Sequence, residues 1–124
     1  MKKIVSALLV FAPLCAYGDW VKVTSALNGT GDIYVDPTTI SKTGDVRQAW
    51  ELLDRSTPDQ GVLSVTAVLE FDCKDKKLRH NQTTAYSGHM AKGDILGIGA
   101  VPDAWQNVAS GTVDEVAMNY VCSN

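Results

Sequence analysis

Cys73 ends the apolar stretch VLEFDC and opens the basic run KDKKLRH. A cysteine in that place is a nucleophile, a metal ligand or half of a disulfide. Ser64, Asp72 and His80 supply the residue types of a hydrolytic triad, but no nucleophile elbow organises them. His80 and His89 lack the tight spacing of a metal-binding pair, and no cysteine is spare to complete a zinc set. Gly29 and Gly31 are too few and wrongly flanked to cradle a phosphate, so they read as turn glycines. Neither a catalytic centre, a metal site nor a cofactor site is expected.

What remains is compartment chemistry. The chain begins MKKIVSALLVFAPLCAYGD, two lysines followed by an apolar run from Ile4 to Cys15 and small residues at Ala16 and Gly18. This is the pattern of an export signal spanning residues 1–18, and the run is too short to cross a bilayer. Ala12-Pro13-Leu14 before Cys15 fits a lipoprotein signal poorly, which favours cleavage after Gly18. Residues 19–124 then form one domain with two cysteines in an oxidising compartment, and Cys73 and Cys122 are expected to pair. Closing the loop between them corresponds to about 4 kcal/mol in the chain-entropy model.

Removing Lys2 and Lys3 takes the formal net charge from −3 to −5. A mildly acidic domain has no global field that draws it to nucleic acid or anionic lipid. Lys74, Lys76, Lys77, Arg79 and His80 are its one concentration of positive charge. They read either as a solvated hairpin turn or as a contact patch for an acidic partner or a lysine-binding host domain. Trp20, Trp50 and Trp105 are expected in or near the core rather than on one ligand platform.

The elements that would position these residues follow from periodicity. WVKVTSA and DIYVD read as strands, and Asp36-Pro37 opens a single helical turn reaching Ile40. VRQAWELLD alternates as a third strand, with Val46, Gln48, Trp50 and Leu52 expected inward. The fourth strand is the clearest, with Leu63, Val65, Ala67, Leu69, Phe71 and Cys73 on one face. KLRHNQTTAYSG is its weaker partner near an edge, and DILGIGAV is a further short strand. PDAWQNVASG is a connecting loop that can bury Trp105. Thr112 and Glu115 make a capping box, and Val113, Val116, Ala117, Tyr120 and Val121 fall on one helical face. The fold class is α+β, a small antiparallel sheet covered by a C-terminal amphipathic helix and tied to it by one disulfide. Cys122 lies off that expected helical face, which implies that the last turn is unwound there or that Cys122 lies just past the helix end.

From DWVKV through DIYVDPTTI, Trp50, LEFDC, Arg79, AYSG and Trp105 to SGTVDEVAMNYVC, the order of features resembles the surface-adhesin protein E family of exported bacterial proteins. The resemblance implies the same sheet, helix and disulfide. It also implies a non-enzymatic, adhesin-like protein-binding module, periplasmic, secreted or at the cell surface. Its partner would be a host matrix or plasma protein such as vitronectin, laminin or plasminogen. The alternative is a periplasmic accessory or inhibitor protein acting on another envelope component.

Overall fold

A computed structural model describes residues 19–26, 29–99 and 104–124. The expected signal segment and Cys15 lie outside the described residues. Seven strands form one antiparallel sheet: β1 (Val21–Ser25), β2 (Gly31–Thr43), β3 (Val46–Asp59), β4 (Val62–Asp72), β5 (Lys77–Tyr86), β6 (Ile95–Gly99) and β7 (Gln106–Asn107). The first six pair in sequence order, and β7 pairs with the start of β5. The helix α1 covers Val113–Cys122. Short hairpin turns set the registers. Gly44 (φ 60°) turns β2 into β3, and Gln60 and Gly61 (φ 50° and 85°) form the left-handed pair that joins β3 to β4.

The helical turn expected at Asp36–Ile40 is not formed; the strand continues through it. Asp36 does act as a cap, its Oδ1 accepting from the Thr38 backbone N–H at 3.0 Å and from the Thr38 hydroxyl at 2.6 Å. The result is a bulge in the β2–β3 ladder between Asp36 and Ser41, where Pro37 has no N–H to give. Thr39 Oγ1 stands in for the lost ladder acceptor and receives the Trp50 backbone N–H at 3.0 Å. Register shifts occur in each of the five consecutive strand pairings from β1 to β6. Bulges bend strands and increase twist.

One face of the sheet meets α1. Cross-strand partners share a face, so the pairings Ala49 with Leu69, Glu51 with Ala67 and Phe71 with Leu78 define it. β4 presents the row expected of it, but β3 is reversed. Ala49 and Glu51 face the helix, while Trp50 and Leu52 face away. Leu52 is nonetheless fully buried, because the opposite face is itself partly covered and also holds buried Ser64, Thr66 and Thr84. An aromatic marked the wrong row because small Ala49 is what lets the helix approach.

α1 starts as its sequence requires. Thr112 Oγ1 accepts the Glu115 N–H at 3.3 Å, and Glu115 Oε1 accepts the Gly111 N–H at 3.0 Å, one residue before the cap. Its buried residues are Ala117, Met118 and Val121, whereas Val116 is 41% exposed. The packed face is therefore rotated from the expected one, with Met118 replacing Val116. That rotation puts Cys122, four residues after Met118, on the sheet side, and it bonds Cys73 with a Cα–Cα separation of 5.9 Å. No unwinding is needed. Ala117, Met118 and Val121 join Val35, Ala49, Leu69, Phe71 and Leu78 in the main core.

Glu51 sits on the helix-facing row between Val35 and Ala67, both buried. Burial, and secondarily the charge of Asp114 in the first helical turn, pushes its pKa up to about 8. An acid with a raised folded pKa stabilises the fold fully only below its unfolded value, and that contribution is lost as pH rises toward about 8.

Two outcomes follow. Met118→Asp should cost several kcal/mol by burying an unpaired charge, roughly 3 or more, while Val116→Asp should change stability by less than about 0.5 kcal/mol. Urea unfolding of both variants checks the assigned face, and equal damage would contradict it. Glu51→Gln should flatten the decline in stability from pH 5 to pH 8, with a gain on the order of 2 kcal/mol at the alkaline end. Thermal unfolding across that pH range measures it, and an unchanged slope would show that Glu51 does not carry the effect.

Candidate functional site

The basic run is divided by the strand it leads into. Asp72 Oδ1 closes the turn after β4 by accepting the backbone N–H groups of Lys74 (3.1 Å) and Asp75 (3.0 Å). Lys74 and Lys76 are exposed on this turn, with Asp75 between them. Lys77 pairs with Asp72 and Arg79 with Glu70 on the helix-free face, whereas His80 pairs with Leu69 on the helix side. The five expected contact residues thus do not share one surface. The disulfide fixes the base of the turn, and the Cys73 N–H also bonds the Asp45 carbonyl at 2.9 Å.

Arg79 belongs to a different assembly. Its Nε donates to Glu70 Oε1 at 2.7 Å, and Asn81 Nδ2 donates to Glu70 Oε2 at 2.9 Å. Asn81 reaches Glu70 because it is the extra residue of the β4–β5 bulge. Partial burial works to raise the Glu70 pKa, but the hydrogen bonds from Asn81 and Arg79 and the Arg79 charge outweigh it and hold the carboxyl below its usual range. The Arg79 guanidinium lies 4.6 Å from the ring centroid of Trp105. Trp105 is 36% exposed, not buried as its loop position suggested, and β7 places it by pairing with Lys77 and Leu78. Together with Ser41, Thr43, Val46 and Gln48 these residues line a cleft of about 310 Å³ on the helix-free face. Trp20 lines a separate cleft with Met90, Ala91 and Lys92, so the tryptophans form no common platform.

The Ser64, Asp72 and His80 grouping is not a triad. Ser64 and Asp72 are eight residues apart along β4, roughly 26 Å at strand rise, and His80 faces the opposite side of the sheet. Ser64 is fully buried and structural. Its Oγ donates to the Gly88 carbonyl at 2.6 Å and accepts the Ala91 N–H at 2.9 Å. Asp54 Oδ1 accepts the Met90 N–H at 2.7 Å and lies 3.2 Å from His89 Nδ1. These contacts hold a short 3₁₀ turn, His89–Ala91, in which Met90 and Ala91 both have positive φ, 57° and 60°. Two successive non-glycine residues in that region are strained and persist only where surrounding contacts fix them. Nothing in HMAKG announces this locally, because its anchors lie on β3 and β4. Among the described residues no cluster of three or more histidine, cysteine, aspartate or glutamate side chains is placed to hold a metal. No described helix is long and apolar enough to cross a membrane.

The free edge of β6 is a second surface. Among the described residues β6 pairs only with β5, and Ile95, Leu96 and Ile98 are 57%, 49% and 63% exposed. Leu96 joins Val62, Val65 and Ala85 along a cleft of about 430 Å³, bordered by Arg55 and Asp59. Periodicity located β6, but its place at the edge depends on strand order. KLRHNQTTAYSG, expected near an edge, is the β5 strand that β6 and β7 cover.

The family model described as Surface-adhesin protein E matches residues 20–123. No curated protein matches the chain at the sequence level. Among solved structures, crystal form II of Haemophilus influenzae protein E is similar with a TM-score of 0.65 and 13% identity, covering 95% of this chain and 98% of that one. The selenomethionine form of the same protein gives a TM-score of 0.61 at 14% identity, covering 88% and 89%. Protein E from non-typeable Haemophilus influenzae gives 0.59 at 14%, covering 93% and 82%. At these identities the likeness is one of fold.

Ser64→Ala should release the strained turn by removing both of its hydrogen bonds, at a cost of roughly 1–3 kcal/mol. Hydrogen exchange at the Ala91 amide should accelerate more than exchange in β2. Unchanged protection at Ala91 would show that Ser64 does not hold the turn.

Proposed function

Because the chain belongs to the surface-adhesin protein E family, we propose that it is an exported, non-enzymatic adhesin-like module that binds a partner protein by strand addition at β6. The carrying observation is the β6 edge, unpaired among the described residues, with three exposed aliphatic side chains. An open strand edge presents unpaired backbone donors and acceptors, and natural sheets usually blunt it with charge, proline or a cover. β6 contains none of these blunting residues. An extended segment of a partner would gain main-chain hydrogen bonds along Ile95–Gly99 and lay alternate side chains beside Leu96 and Val65. The partner class suggested by the family is a host matrix or plasma protein. Lys74, Lys76 and Lys77 would add an exposed, salt-sensitive contribution rather than the main contact.

The test combines location and binding. Protease accessibility of the protein on intact cells supports the adhesin reading, and protection until the outer membrane is opened supports an accessory role in the envelope. The mature domain is titrated against immobilised vitronectin, laminin and plasminogen. Leu96→Lys with Ile98→Lys should weaken the partner that binds by at least about tenfold while the disulfide and circular dichroism stay unchanged. Lys74→Glu, Lys76→Glu and Lys77→Glu together should chiefly reduce the salt dependence. Binding that survives the β6 substitutions and disappears with the turn substitutions would overturn strand addition.

A further inference from the structure

We propose that the cleft beneath Trp105 binds a neutral hexopyranose unit of a glycan. Trp105 would be the stacking surface, with Gln48, Ser41 and the Glu70–Arg79 pair as hydroxyl partners. The site goes beyond strand addition at β6 and uses different residues. Its walls come from the neighbouring strands β2, β3, β4 and β5, with Trp105 carried over the β5 edge by β7. The volume of about 310 Å³ is at the lower end for small-molecule sites. That suits one or two sugar rings.

The choice of ligand class follows from charge and from the kinds of atoms present. The cleft holds one carboxylate and one guanidinium, and they already neutralise each other across a 2.7 Å contact. A charged ligand would have to break that pair and leave the other charge poorly solvated. A neutral polyol need not. Sugar hydroxyls both donate and accept, and the amide of Gln48 and the hydroxyls of Ser41 and Thr43 do the same. The electron-rich face of an indole accepts polarised C–H groups, which a pyranose presents on its flatter side; the Arg79 guanidinium covers one face of Trp105, so the sugar would stack on the other. Val46 adds an apolar wall.

Preorganisation supports the assignment. Arg79 is fixed by Glu70, Glu70 by Asn81, and the backbone beside Trp105 by β7 and by the Val108 N–H, which donates to the Lys76 carbonyl at 3.0 Å. These groups lose little freedom when a ligand arrives. The helix core does not use them, so they can be altered without opening it.

The experiment is a titration of the disulfide-bonded mature domain with chitotetraose, cellotetraose and lacto-N-tetraose, followed by tryptophan fluorescence and calorimetry. At least one should bind saturably, with a dissociation constant below about 10 mM. Trp105→Ala and Gln48→Ala should each weaken that binding about tenfold. Trp105→Phe should retain most of it, and Ile98→Lys on β6 should leave it unchanged. Circular dichroism confirms the fold of each variant; if Trp105→Ala does not fold, Gln48→Ala and Trp105→Phe decide. No saturable binding of any of the three sugars, or equal affinity after Gln48→Ala, would overturn the proposal.

Discussion

The seam between α1 and the sheet is the constraint on which the rest depends. A ten-residue helix is marginal alone and has to be held by packing. Here three side chains, Ala117, Met118 and Val121, enter a core floored by Val35, Ala49, Leu69 and Phe71. The Cys73–Cys122 bond joins the end of the helix to the residue that follows β4. A domain of this size buries a small fraction of its surface compared with a large one, so a covalent tie at this seam replaces core that the chain lacks. The helical face must then be the one that carries Cys122 toward the sheet. Val116 is left outside as a consequence, and Asp114 is brought near Glu51.

The short helix also determines which surfaces stay open. Its main packing is on β1 to β4. β6 lies at the far end of the sheet, an edge open among the described residues beside the cleft that Leu96 lines. The helix-free face is covered in pieces. The strained turn at His89–Ala91 lies over β3 and β4 near Asp54 and Ser64, while Trp105 reaches the opposite end of β4 at Glu70. The cleft beneath Trp105 opens on this face, whereas the cleft that Leu96 lines opens beside Val65 and Ala85, on the row that faces α1. Both consist of groups that the core neither buries nor needs.

Much of this architecture was legible in the sequence, for identifiable reasons. β4 was clear because its apolar row is unbroken from Leu63 to Phe71. The helix start was clear because Thr112 and Glu115 are a local signal, and the disulfide because two cysteines remain after the expected signal. The missed features are those that local pattern cannot encode. Asp36-Pro37 carries the same cap and proline whether it opens a helix or closes a bulge, and pairing with β3 decides between them. Trp50 outweighed Ala49 as a core signal because size suggests burial, yet a helix packs closest over the smaller residue. Val116 and Met118 are both apolar and two positions apart, and only the fixed position of Cys122 selects between their faces.

The basic run shows the same limit for function. Read along the chain, Lys74 to His80 is a single charged segment. In the fold it is a turn followed by a strand, and the two-residue period sends Arg79 and His80 to opposite faces. Arg79 also meets a carboxylate that no sequence window would join to it, nine residues away across the hairpin. Its charge is then spent inside a neutral pair, and its planar group becomes a rigid wall against Trp105. A residue that looked like part of a long-range electrostatic signal is thereby a short-range one. It defines the shape and hydrogen bonding of a small cleft, and the field it would have added to the turn is cancelled at its source.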